Sequence, residues 1–84
     1  MKKLVEVENE GLVSLMGERV TFMCGCYFYT GKLVGVNDDC VKLEDAGIVY
    51  ETGELSGGKW SDMQPLPNDW YVQIASIESF GRLK

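Results

Sequence analysis

The sequence lacks the residues from which most metal and catalytic sites are built. Its 84 residues include no histidine, three cysteines and two prolines. Cys24 and Cys26 are two positions apart and Cys40 is distant, which is not the ligand spacing of a zinc site. An odd number of cysteines also forms no complete disulfide framework. We therefore predict reduced, buried thiols, no metal and no cofactor.

Basic residues are scarce as well. The chain has 8 Lys and Arg against 13 Asp and Glu, which gives a formal net charge of −5. The acidic excess lies between residues 36 and 54, where Lys42 is the single base. Because affinity for a phosphate backbone comes mainly from Lys and Arg, this composition excludes a general nucleic-acid binder and allows only local or weak binding.

Long apolar runs are also missing. No stretch approaches the ~20 residues of a membrane helix. Residues 1–11 carry two lysines and then acids, without the apolar segment of a signal peptide. We expect a cytoplasmic protein with no membrane partner.

One domain of this size buries only about 60–65% of its unfolded surface, so we expect oligomerisation to add buried area.

The first regular pattern covers about residues 9–16 and predicts a short helix. Asn9 can cap it, three apolar residues follow at i, i+3 and i+4, and Gly17 suits a left-handed end. A helix of two turns is too short to be stable alone, so it must lie on other elements.

The remainder of the chain alternates like β-strands, at about residues 18–24, 27–37, 40–52, 69–74 and 76–80. Gly31 and Gly35 within the second strand indicate a sharp bend, and a change of phase predicts a bulge near Glu44–Ala46. In the loop at 53–69, Lys59 to Met63 could extend a hairpin. The expected fold is mostly β, a short N-terminal α-helix followed by a strongly bent, five-stranded antiparallel SH3-like barrel, as one domain over residues 1–84.

Several of these features resemble the first signature of the Sm-like (LSm) family in order and spacing. Gly31, Leu33 and Gly35 match its Gly-x-Leu-x-Gly part, and Leu-Glu-Asp-Ala at residues 43–46 matches its end. Gly-Glu-Arg-Val at residues 17–20 matches the entry to the first strand in kind. The resemblance covers about residues 9–50.

The resemblance implies an Sm-like fold that assembles through its fourth and fifth strands into a closed homo-oligomeric ring of about five to seven subunits. It also implies binding of single-stranded, often uridine-rich, RNA near the central pore. On this basis the predicted subunit interface comprises Trp70, Val72, Ile74, Ile77 and Phe80.

The residues that contact RNA in the family are mostly replaced in this sequence. Asn37 stands where the family has an aspartate, and Cys40 stands where it has the asparagine that contacts the base. The second signature, Ile-Arg-Gly, finds its nearest match in Ile-Ala-Ser at residues 74–76, without the arginine. The predicted nucleic-acid site comprises Asn37, Asp38, Asp39, Cys40, Ala75 and Ser76. The alternative for residues 37–39 is an ordinary solvated turn.

No enzyme is predicted, because the serines have no obvious base partner and the glycines form no phosphate loop. Two functions remain open. The first is an Sm-like ring that binds single-stranded RNA, or acts as an RNA chaperone, with altered specificity. The second is an Sm-fold ring that serves as a protein-interaction or structural module without RNA. The composition favours the second, but the resemblance favours the first, which is our prediction from the sequence with the second as its alternative. Trp60 either stacks on a base or packs on a neighbouring subunit.

Overall fold

The computed structural model describes residues 11–83, which form one antiparallel sheet with very little helix. The strands are β1 (Arg19–Cys24), β2 (Phe28–Val36), β3 (Cys40–Glu51), β4 (Asp62–Pro65), β5 (Trp70–Gln73) and β6 (Ile77–Gly81). Two single 3-10 turns complete the structure, at Val13–Leu15 before β1 and at Ile74–Ser76 between β5 and β6.

The sheet has the order β4-β3-β2-β1-β6, and β5 pairs with β3 on the same side as β4. The long strand β3 thus has a divided outer edge. Its first part, Cys40 to Leu43, pairs with β5, and its second part, Gly47 to Glu51, pairs with β4. We call the outer side of β4 and β5 the divided edge. The outer side of β6, which pairs with β1, is the opposite edge of the sheet.

The short connection between β5 and β6 requires a strong curl of the sheet. In a flat sheet these strands would lie four strand spacings, or about 19 Å, apart. The chain from Gln73 to Ile77 spans at most about 14 Å even when fully extended. The two edges therefore approach each other, although in residues 11–83 no strand pairing between β5 and β6 closes the sheet.

The core lies inside this curl and comes from the alternating apolar positions of β1, β2 and β3. The fully buried apolar side chains are those of Val20, Phe22, Leu33, Val41 and Leu43, and Ala46 and Val72 join the same cluster. Leu12 and Leu15, on the first 3-10 turn, pack against it.

The bulge predicted near Glu44–Ala46 is confirmed. Asp45 has a φ of 49°, and the pairing of β2 with β3 shifts by one residue between Thr30 and Lys32. Gly31 faces this bulge, where an added Cβ would lie only 3.0 Å from the Leu43 Cβ and 3.1 Å from the Ala46 Cα. Arg19 holds the bulge from outside, because its guanidinium donates to the Asp45 carboxylate (3.1 Å) and to the Asp45 carbonyl (2.9 Å).

The helix predicted at residues 9–16 is not found in the part of it that the structure describes. Residues 11–16 contain only the 3-10 turn Val13–Leu15, and residues 9 and 10 lie outside the described chain. Gly11 (φ 78°) and Gly17 (φ 86°) both adopt left-handed conformations that bracket this segment. Five residues between two such glycines leave room for little more than one turn.

Residues 11–83 contain six strands rather than the five predicted, because β4 is not among the predicted strands. Its four residues, Asp62–Pro65, follow a glycine-rich loop, end on a proline and include no fully buried side chain. A strand with so little apolar character is formed by its pairing with β3, which the local sequence does not encode.

Candidate functional site

The turn between β2 and β3 is held together by Asn37. Its backbone N–H donates to the Cys40 carbonyl at 3.0 Å. Its side-chain Oδ1 accepts the backbone N–H groups of Asp39 and Cys40 at 2.7 and 2.8 Å. The Asn37 amide oxygen therefore serves the turn, while Asp38 and Asp39 are exposed to solvent.

The two halves of the predicted nucleic-acid site are adjacent in the structure. The Ile74 N–H donates to the Asp39 carbonyl at 2.9 Å, which joins the 37–40 turn to the 3-10 turn Ile74–Ser76. Ala75 and Ser76, also in the predicted site, are exposed on this second turn. We call the two turns together the paired-turn site.

A cleft of about 360 Å³ lies beside the paired-turn site, with Leu12, Val36, Asn37 and Ile74 among its lining residues. No Lys or Arg occurs in residues 37–40 or 74–76, whereas both aspartates of the first turn are exposed. Repeated around a ring, these carboxylates would make the local potential negative. The charge at this site suits a neutral or cationic group better than a phosphate.

The predicted interface residues occupy different environments. Val72 is only 5% exposed and belongs to the core of its own chain, so its side chain is not free to contact a partner. Ile74 and Ile77 are half-buried against the same core. Trp70 and Phe80 remain 40% and 41% exposed. These two are the large, well-exposed members of the predicted set.

A second concave site, which we call the aromatic groove, lies between β5 and the hairpin that joins β1 to β2. Its volume is about 370 Å³. Its aromatic lining residues are Tyr27, Tyr29, Trp70 and Tyr71, and its other side chains include Cys24, Cys26, Gln73 and Ser76. The Tyr27 ring packs edge-on against Tyr50, with 5.4 Å between ring centroids. That contact favours one orientation for Tyr27 although its side chain is exposed.

None of the residues that line the aromatic groove is an Asp, Glu, Lys or Arg. Burial raises the pKa of the Cys24 thiol, and the nearby Glu78 carboxylate raises it further. Burial also raises the pKa of the Tyr29 hydroxyl, with smaller contributions from neighbouring thiols and tyrosines. Both groups therefore stay protonated and can donate hydrogen bonds.

Two acids flank the aromatic groove. The Glu78 carboxylate lies beside Gly25, 3.7 Å from where a Cβ on that glycine would be. Asp69 precedes Trp70 and pairs with the Lys42 ammonium at 3.6 Å. The same ammonium lies 5.8 Å from the centroid of the Tyr71 ring. Tyr71 and then Asp69 raise the pKa of Lys42, which is consistent with its being engaged by both.

The aromatic groove is not predicted from the sequence. There Trp70 is expected in a subunit contact, and the aromatic residues 27–29 are expected mainly in the core or in subunit contacts. Strand alternation shows which residues share a face, but not which face another strand covers. One feature of the sequence does point to such a groove, namely the density of Tyr and Trp in a chain with few cations.

Trp60 lies half-buried in a third cleft, of about 480 Å³, together with Arg19 and Lys59.

In the described residues, no group of three His, Cys, Asp or Glu side chains could hold a metal ion. Over the same residues, no helix has the length and apolar character needed to cross a membrane.

Comparison of the chain with protein-family models, curated proteins and solved structures found no significant match.

Proposed function

We propose that this chain is an Sm-like domain that assembles into a closed homo-oligomeric ring and acts as a protein-interaction module. The observation that carries the proposal is that, within residues 11–83, both edges of the sheet lack a strand partner, with β6 on one side and the divided edge on the other. Exposed strand edges present unsatisfied N–H and C=O groups, which proteins usually cover. Pairing β6 of one copy with the divided edge of the next is a head-to-tail contact, and such contacts close into rings when the rotation fits.

The strand arrangement supports the Sm-like part of the proposal. The order β3-β2-β1-β6 and the single short turn before the last strand agree with a bent barrel of that type. The glycine motif that suggested the family includes Gly31, where the pairing of β2 with β3 shifts its register. A cytoplasmic location is part of the same proposal, supported by three free cysteines at positions 24, 26 and 40.

The charges favour a protein ligand over RNA. The paired-turn site exposes Asp38 and Asp39 and includes no cation. Asn37, which could otherwise have offered its amide oxygen to a base, accepts two backbone N–H groups with that oxygen. With 8 Lys and Arg against 13 Asp and Glu, the chain also has few cations that could gain affinity from counterion release at a phosphate backbone.

Single-stranded RNA binding is the second candidate, and one observation favours it. The two turns that the family resemblance assigns to RNA contact are joined by the Ile74–Asp39 hydrogen bond, so they could act as one site. Titration of labelled oligo-U and oligo-A at low and moderate salt tests it. Absence of binding to both at low salt removes this candidate, whereas binding that survives added salt supports recognition by base stacking.

Sedimentation velocity tests the ring. Five to seven copies of a 9.4 kDa chain give about 47 to 66 kDa, as one species. Placing a lysine on each edge, with Gln64→Lys on β4 and Ser79→Lys on β6, should produce monomers because charged edges resist pairing. Glu44→Lys is the matched control. It changes the net charge by the same +2 as the two edge lysines together, but it lies within β3 at the bulge, so Glu54→Lys, in the exposed loop between β3 and β4 and outside every strand of residues 11–83, serves as a second control with the same charge change. A monomeric wild type, or equal dissociation in the controls, would contradict the proposal.

A further inference from the structure

The geometry points to a ligand class for the aromatic groove: we infer that it binds an extended, proline-containing peptide that carries a cationic side chain. This inference rests on the proposed function as a protein-interaction module and names the partner's chemistry. It uses a site separate from the paired turns, although Ser76 belongs to both the groove lining and the second turn.

The shape and lining of the groove suit such a peptide. A volume of about 370 Å³ accommodates a few residues of chain. Tyr27, Trp70 and Tyr71 are exposed aromatic residues on its two sides. Proline-rich segments dock in aromatic-lined grooves, because a polyproline II helix is already extended and loses little entropy on binding. Its backbone carbonyls require donors, and tyrosine hydroxyls, the indole N–H and the Gln73 amide provide them.

The charges around the aromatic groove favour this peptide over a nucleic acid. None of the lining residues is a lysine or arginine. Lys42, which lies by the Tyr71 ring, already pairs with Asp69. Glu78 lies beside the hairpin at Gly25, so the rim has negative charge available for a ligand cation. A phosphate chain would meet repulsion here, whereas an arginine or lysine next to a proline segment would be attracted.

The groove and the ring are compatible because the divided edge has two parts. β4 and β5 pair with different parts of β3, and residues 66–69 separate them. The groove borders β5, while β4 remains available to β6 of a neighbouring copy.

The two tryptophans allow a matched test. Trp70 lines the aromatic groove and Trp60 lines a different cleft, so Trp70→Leu and Trp60→Leu are the variant and its control. The probe is a synthetic peptide of eight prolines ending in two arginines, titrated against the full chain by isothermal titration calorimetry, with tryptophan fluorescence as a second readout in the variants that keep Trp70. Comparison peptides replace the prolines with alanine, or the arginines with glutamate.

We expect saturable binding with a fluorescence change that persists in Trp60→Leu, where Trp70 is the remaining indole. Trp70→Leu should weaken binding at least about tenfold, since buried tryptophans dominate such interfaces. Tyr71→Leu, at a side chain 59% exposed and therefore tolerant of substitution, should weaken it severalfold. The alanine peptide should fail to saturate, and the glutamate peptide should bind more weakly at low salt.

Several results would overturn the inference. These are no binding by the wild type, equal binding by Trp70→Leu, equal binding of the alanine peptide, and displacement of the peptide by oligo-U. Dissociation of the assembled species on peptide addition would also overturn it, because the groove would then be the contact between copies. Sedimentation of the same samples separates the two proposals. An intact ring without peptide binding contradicts this inference alone, and a monomer that binds the peptide contradicts only the ring.

Discussion

Replacing Gly31 with alanine tests whether the bulge in β3 brings the two strands as close as the structure indicates. The new Cβ would lie 3.0 Å from the Leu43 Cβ, 3.1 Å from the Ala46 Cα and 3.1 Å from the Glu44 carbonyl oxygen. Two of these three atoms belong to the backbone of β3, so side-chain rotation cannot relieve the contact. Overpacking of this kind costs about 1–3 kcal/mol.

Gly35→Ala is the matched control, because Gly35 lies in the same strand. Its added Cβ would meet only the Lys42 Cβ, at 3.4 Å. Neither glycine has a φ in the left-handed range, so alanine is allowed by the backbone at both. Both substitutions gain the same entropic benefit of roughly 0.5–1 kcal/mol from restricting the unfolded chain. The difference between the two variants therefore isolates the close contact.

We expect Gly35→Ala to be neutral or slightly stabilising and Gly31→Ala to be less stable than it by about 1–3 kcal/mol. For a domain of this size each kcal/mol corresponds to about 4–8 °C in Tm. Urea unfolding and thermal melts at one fixed protein concentration give both values, since association would make Tm depend on concentration. If the two variants differed by less than about 0.5 kcal/mol, the tight approach of β2 to the bulge would be refuted.

Three further predictions use the turn, the core and the thiols. Asn37→Ala should destabilise the chain by about 1 kcal/mol because two backbone N–H groups lose their acceptor, whereas Asn37→Asp should retain most of that stability in urea unfolding. Equal losses in both variants would contradict this role of the side chain. Within residues 11–83 the buried Thr30 hydroxyl has no hydrogen-bond partner, so Thr30→Val should stabilise by roughly 1 kcal/mol; a destabilised variant would mean that the hydroxyl is satisfied. Iodoacetamide at about pH 8 should modify the exposed Cys26 well before Cys24, because burial and Glu78 raise the pKa of the Cys24 thiol and the thiolate is the reacting form. Tandem mass spectrometry resolves the two sites, and equal rates would show that Cys24 is accessible.

The sequence predicts best those segments of the structure that carry strong local signals. The alternation of Val20 with Phe22, and of Val41 with Leu43, marks β1 and β3, and all four side chains are fully buried. The change of phase near Glu44–Ala46 marks a bulge that the structure contains at Asp45. These features follow from side-chain periodicity and backbone sterics, which act between residues that are neighbours in the sequence.

The errors lie where local signals are weak or ambiguous. At residues 11–16 the apolar stripe suggested a helix, but Gly11 and Gly17 confine the turn to Val13–Leu15. β4 is predicted only as a possible hairpin extension at Lys59 to Met63, because its four residues are largely polar and depend on β3 for their pairing. That partner is distant in sequence. Val72, a residue of the predicted interface, is buried in the core of its own chain opposite Val41.

The amino-acid sequence by itself determined the β-rich class, the bulge near Asp45 and the acidic character of the segment from residue 36 to 54. These depend on short-range geometry and on composition. Within residues 11–83, the tertiary structure alone decided which strand edges remain unpaired, that the 37–40 turn meets Ile74, and that Tyr27, Trp70 and Tyr71 line one groove. The physical reason is that the curl of the sheet brings together residues about 35 to 45 positions apart, and side-chain exposure depends on which of those neighbours covers each face.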